Sequence, residues 1–160
     1  MSETLTGSCL ERMVEAARET LALMAALEEV AVTYGAADAV AQVHEVSAVI
    51  GFGGPEAQGA LVLSTDRVTA TRLVSRIAGA ELEELSEDVV DGLGELANIV
   101  AGRAAVGLGG GEDLGLALPT VVAGGGHRVF RTRGVDNRFA FLQTPDGPLC
   151  LQVHVRAGAA

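Results

Sequence analysis

The apolar residues of this chain change their repeat distance in blocks, and that segregation limits the fold more than any other feature. From about Ser8 to Glu28, Leu10, Met13, Ala17, Leu21, Met24 and Leu27 recur at three- and four-residue steps. This is the stripe of an amphipathic helix, with Ser8 placed to cap it. Val43, Glu45 and Ser47 then alternate against His44, Val46, Ala48 and Ile50, a half-buried strand. Gly53-Gly54-Pro55 breaks that strand, and Gly59 to Ser64 returns beside it. Thr65 to Ala78 reverts to helical spacing through Val68, Thr71, Leu73, Val74 and Ile77.

A third helix starts at Ser86, followed by acids Glu87 and Asp88 in its first turn, and should run to about Leu108, where Gly109-Gly110-Gly111 ends it. Strand material follows. Leu114 to Val122 is bent by Pro119 and suits an edge, and His127 to Arg133 reads as another strand. Asn137 to Gln143 and Leu149 to Arg156 flank Pro145-Asp146-Gly147, a hairpin turn. In the last strand Leu149, Leu151, Val153 and Val155 face one way and Cys150, Gln152 and His154 the other. Segregated helices and hairpins predict an α+β fold, a largely antiparallel sheet packed with three main helices. The 160 residues suit a single domain, 1–160, with an ordered core of about 8–157.

Composition narrows the chemistry by exclusion. All 11 basic residues are arginine, so no lysine is present to hold a nucleotide phosphate, form a Schiff base or act as a base. A net charge of −10 argues against nucleic acid. Cys9 and Cys150 are far apart and read as buried thiols of a reducing compartment. The N-terminus has no signal-peptide pattern, and the apolar stretch Leu21 to Leu27 is too short for the ~20 residues of a membrane span, so a cytoplasmic location is expected with no membrane insertion. His44, His127 and His154 lack ligand spacing and read as structural; no metal is expected on this chain. No GxSxG occurs, and the runs Gly109–Gly111 and Gly124–Gly126 lack phosphate-loop spacing and read as turns.

The 86–108 helix departs from ordinary helix composition. At about 100° per residue, Val89, Leu93, Leu96, Val100 and Ala104 form a core band about 80° wide. Asp91, Glu95, Asn98 and Gly102 fall within about 60° on the opposite side. Gly94, Ala101 and Ala105 flank that stripe, so an exposed face that should carry long polar side chains is cleared. Either these are ordinary surface residues, or polar groups project from an open surface toward a partner.

Asp91-x3-Glu95-x2-Asn98, within SEDVVDGLGELANIVAG, resembles the signature helix of the CheC/CheX/FliY family of chemotaxis phosphatases. Leu118 to Gly124 is similar to the strand after that helix in the CheX branch, and 46–54 with 59–64 to its first hairpin. The resemblance covers about residues 8–157 and implies a CheC-like fold with the signature helix exposed on one face. Relatives with two active helices carry a second motif near the N-terminus. Here Glu11, Glu15 and Glu28 are followed three residues later by Val14, Arg18 and Ala31, not Asn, so the likeness is to CheX.

The resemblance implies hydrolysis of the phosphoaspartate of a CheY-like response regulator. Asn98 would orient the attacking water, and Glu95 would dock the regulator's lysine. Asp91, Gly94, Ala101, Gly102 and Ala105 would receive its loops. Mg²⁺ would sit on the regulator, with no cofactor on this chain. A homodimer is also implied; the Leu149–Val155 strand could supply its face or serve an internal sheet. One alternative is a non-catalytic response-regulator or signalling-protein binding module of the same fold. Another is a subunit of a larger complex that uses Arg128, Arg131, Arg133 and Arg138 as a contact patch.

Acidity is lopsided. Residues 1–100 carry 17 acids against five arginines, and residues 101–160 four against six. The acids peak at Glu81 to Asp91, on the approach to Glu95.

Overall fold

A computed structural model describes residues 2–35, 43–55, 57–106, 114–130 and 133–157. Helix α1 is Ser2–Ala25, followed by strands β1 (Ala31–Gly35), β2 (His44–Gly53) and β3 (Ala57–Thr65). Helices α2 (Arg67–Ala78) and α3 (Glu87–Ala105) come next, then β4 (Gly115–Leu116), β5 (Thr120–His127), β6 (Asp136–Thr144) and β7 (Gly147–Ala157). Every strand pairing is antiparallel. The α+β expectation, with three helices on an antiparallel sheet, therefore holds.

The sheet order is β1-β6-β7-β3-β2-β4, with β5 also on β2. The order describes an approximate internal two-fold. Each half has a helix and three main strands, α1-β1-β2-β3 and α3-β5-β6-β7, joined through α2, the second half adding the two-residue β4 before β5. The first strand of each half crosses to the second strand of the other (β1 to β6, β5 to β2), while the third strands β3 and β7 pair at the centre. The two helices repeat the same core spacing. Leu10, Met13, Ala17 and Leu21 of α1 match Leu93, Leu96, Val100 and Ala104 of α3, and all eight are buried.

The core lies between the helices and one face of the sheet, where Ile50, Leu61, Leu63, Ala140, Leu142, Leu151, Val153 and Val155 are buried. The other sheet face is also partly closed. The segment after β5 crosses it, and the Gln152 amide donates to the Val129 carbonyl at 3.2 Å and to Asn137 Oδ1 at 3.2 Å. Strand β7 is thus interior on both faces and bonded on both edges. Its apolar residues serve the internal sheet, not a partner face.

Several boundaries differ from expectation for local reasons. Helix α1 begins six residues before Ser8, because Thr6 is buried and Leu5 packs on the core, so Ser8 is interior to the helix and not its cap. Gly124–Gly126 is not a turn but part of β5. Val46 pairs with Ala123 and His44 with His127, so the glycines form a bulge, and Gly124 takes φ 121°. Residues 128–130 leave the sheet, so the strand expected from His127 to Arg133 is absent among the described residues. Strand β1 has no counterpart in the expected elements. Helix α3 stops at Ala105, and the Gly109–Gly111 run lies outside the described residues. Among the described residues no helix is long and apolar enough to cross a membrane.

Candidate functional site

Ser86 caps α3 with extended backbone (φ −65°, ψ 167°), and its Oγ accepts from the Val89 N–H at 3.4 Å. Glu87 and Asp88 occupy the first turn, where the helix dipole favours acids. The expected core band is present, with Val89, Leu93, Leu96, Val100 and Ala104 all buried. Leu85, immediately before the cap, sits at φ 53° and is held there by its N–H donating to Thr71 Oγ1 at 3.1 Å. A branched side chain in that region costs about 1–2 kcal/mol. The strain is therefore stored at the entry to α3, with α2 supplying the restraint.

On the outer face Asp91 and Glu95 are exposed, and Asn98 and Gly102 are half-buried. Residues four and three apart on a helix share a face, so Glu95 stands one turn from both Asp91 and Asn98. Among the described residues neither Glu95 nor Asn98 has a hydrogen-bonding or ionic partner. A carboxylate and a carboxamide are therefore both available from a rigid helix. At position 102 an added Cβ would meet open space.

The small flank is not open. Gly94, Ala101 and Ala105 are buried, and at Gly94 the cover comes from β5 and the residues leading into it. A Cβ at Gly94 would stand 3.2 Å from Val121 Cγ2 and 3.8 Å from Pro119 Cγ. Gly94 lets strand β5 approach the helix, and all three small residues are packed within the molecule and not offered to a partner. Gly92 does the same on the other flank, where a Cβ would run into Val74 Cγ1 of α2.

An apolar groove that the sequence did not disclose opens along the Glu95 side of α3. It has a volume of about 340 Å³ and is bounded by Met24, Ile77, Leu82 and Ile99, with Gly92 and Leu96 at its base and Asp88 and Glu95 at its lip. Its walls come from α1, α2, α3 and the connector before α3, so no local pattern could have revealed it.

His127 Nε2 lies 2.8 Å from Ser47 Oγ, which in turn lies 2.7 Å from Ser64 Oγ. The His44 ring is 6.5 Å from that of His127; burial, and then that neighbour, lowers its pKa. Both cysteines are free and buried, and burial pushes the Cys150 thiol up to about 12, a poor nucleophile. Arg128 and Arg133 are exposed, while Arg138 is half-buried within β6; Arg131 lies outside the described residues. No single strand edge therefore carries the arginine patch.

Residues 46–141 match the chemotaxis phosphatase CheX family. Over 83 residues the chain is 36% identical to the CheY-P phosphatase CheX of Thermotoga maritima. That stretch is 51% of this chain and 53% of the relative, so the match spans about half the length of that protein. Among solved structures, the chemotaxis protein CheX from Vibrio vulnificus superposes with a TM-score of 0.84 at 23% identity, covering 92% of this chain and 99% of the other. A CheC-like superfamily protein from Shewanella sp. PV-4 gives 0.80 at 22% identity, covering 93% and 97%. A CheX–CheY–BeF3–Mg²⁺ complex from Borrelia burgdorferi gives 0.77 at 21% identity, covering 92% and 97%. At these identities the structural likeness establishes the shared fold.

Proposed function

The chain belongs to the CheX family of chemotaxis phosphatases, and we propose that it accelerates hydrolysis of the phosphoaspartate on a CheY-like response regulator. One observation carries the reading: Glu95 and Asn98 stand one turn apart on a capped, rigid helix, with neither side chain engaged among the described residues. Acyl phosphate hydrolysis passes through a loose transition state, so the attacking water needs orientation more than deprotonation. A carboxamide both donates and accepts hydrogen bonds and can hold that water in line without a proton transfer. Asn98 takes this role by proximity and orientation. Glu95, in water, is a poor general base and a good acceptor for an ammonium group; it docks the regulator's lysine beside the phosphoryl group.

Mg²⁺ belongs to the regulator on this reading. The Borrelia complex supports that division, since it contains CheY, Mg²⁺ and beryllofluoride, a stand-in for the phosphoryl group. The test is phosphate loss from a phosphorylated CheY-type receiver. Asn98→Ala should lower the accelerated rate by about a hundredfold while retaining binding. If the variant is as fast as wild type, Asn98 does not orient the water.

A further inference from the structure

The groove beside Glu95 is unused by the mechanism above, and its position specifies what should fill it. On the α3 wheel Asn98 and the groove lie on opposite sides of Glu95. Asn98 is toward β5, whereas Gly92, Leu96 and Ile99 are toward α2. A receiver with its lysine on Glu95 and its phosphoryl group at Asn98 would therefore have the groove on the far side of that lysine. We infer that the groove receives an apolar side chain adjacent to the regulator's lysine, on the side away from the phosphoryl group. The inference rests on the proposed docking of that lysine at Glu95.

Three features support this occupant. First, the walls are half-buried aliphatic side chains, Ile77, Leu82 and Ile99, with Met24 exposed at one end. Covering them removes apolar surface from water without stranding a polar group. Second, the lip is acidic. Asp88 and Glu95 line it, Asp91 stands one turn from each, and none of the three has an ionic partner among the described residues. An apolar residue beside a cation matches that charge pattern, and an acidic or purely apolar segment does not. Third, the groove is preformed. Leu82 is held by its N–H donating to Ser75 Oγ at 3.1 Å, and Leu85 by Thr71 Oγ1 at 3.1 Å. Contact between Gly92 and Val74 fixes the spacing of α2 and α3. Binding there orders little that is not already ordered.

The experiment uses the full chain and a CheY-type receiver saturated with beryllofluoride and Mg²⁺. Ala78 is an exposed residue of the groove wall at the end of α2, so Ala78→Trp plugs the mouth without entering the core. It should raise Kd about tenfold, equivalent to about 1.4 kcal/mol, and raise KM likewise with kcat within twofold of wild type. Asp88→Lys should also weaken binding. Replacing the receiver's apolar residue next to its lysine with Ser should cost wild type about the same and cost Ala78→Trp nothing further, the signature of a shared contact. Unchanged Kd in both Ala78→Trp and Asp88→Lys, with far-UV circular dichroism as in wild type, overturns the groove. So does a wild-type chain that binds no activated receiver. If Asn98→Ala hydrolyses as fast as wild type, the catalytic reading fails, yet a tenfold rise in Kd on plugging still upholds the groove.

Discussion

At the scale of single residues, the four small positions singled out on the 86–108 helix look alike in sequence and separate in the structure. Gly94, Ala101 and Ala105 are covered by the molecule itself, whereas a Cβ at Gly102 meets nothing. Gly102→Leu should therefore leave the fold intact and stabilise α3 by roughly 0.5–1 kcal/mol, since glycine is the poorer helix former. It should also weaken docking of an activated receiver. Urea unfolding and a binding titration read the two effects separately, and an unchanged Kd would remove Gly102 from the docking face. Gly92→Leu should do the opposite, forcing α2 away through Val74 and costing about 1–3 kcal/mol. The polar stripe of Asp91, Glu95 and Asn98 was legible because helical spacing alone places it opposite the core band. Which glycine is crowded was not. The crowding atoms belong to Val74 and Val121, on other elements, and their approach is a tertiary fact.

At the scale of elements, the ends of α2 and α3 show how local chemistry presents the site. Gly79 terminates α2 in the left-handed region at φ 66°, where its N–H and that of Ala80 return to the Arg76 and Ser75 carbonyls. Gly79→Ala should cost about 1–2 kcal/mol and Ser86→Ala about 1 kcal/mol, both measured by denaturant midpoint. Because these two residues bracket the connector that walls the groove, both variants should also expose Leu82 and Leu85 to faster amide exchange. Protection at those amides equal to wild type would show that the connector does not depend on its caps. The Ser86 cap, the Pro145-Asp146 turn and the hairpin β2–β3 were readable because each is written within a few consecutive residues; the Gly79 cap formed no part of the sequence expectation, and Ser8, expected to cap α1, lies inside it. Strand β1 was not readable. It is five residues long, with Tyr34 exposed and no alternation strong enough to register, and it is a strand only because β6 pairs with it from the far half of the chain. The bulge of Gly124–Gly126 is hidden in the sequence for a related reason. Three glycines signal a turn when no partner strand is in view, and here β2 supplies one.

At the scale of the whole molecule, two ion pairs fasten α2 to the sheet, and they carry a pH signature. Arg76 donates to both carboxylate oxygens of Asp146 at 2.7 and 2.8 Å, and Arg67 donates to Glu45 at 2.6 Å. These hydrogen bonds hold both carboxyls below the usual carboxylate range. A carboxyl with a lowered folded pKa contributes stability that is present above its unfolded value, near 4, and is lost as pH falls through the folded value. Tm should therefore hold from neutrality to about pH 5 and drop below about pH 4. Asp146→Asn should melt lower at pH 7 and converge on wild type in acid; parallel curves would mean the pair is not the source.

The internal two-fold bears on function through what its halves do not share. Superimposing the core spacing of α1 on that of α3 puts Arg12 where Glu95 stands and Glu15 where Asn98 stands. At the position proposed to dock a lysine an arginine repels it, and at the position proposed to face a phosphoryl group a carboxylate does the same. The scaffold thus offers two similar helices, only one with chemistry suited to a phosphorylated receiver. Two measurements follow from that asymmetry. Titration of the full chain with beryllofluoride-activated receiver should saturate at one receiver per chain. Asn98→Ala should lower the accelerated rate by about a hundredfold rather than halve it, because α1 holds no second carboxamide at the equivalent position. A stoichiometry of two, or half the rate surviving in Asn98→Ala, would mean that the α1 face acts despite Arg12. The acidic surplus of residues 1–100 would then attract receivers to both sides of the molecule, not chiefly to the lip of the groove beside Glu95.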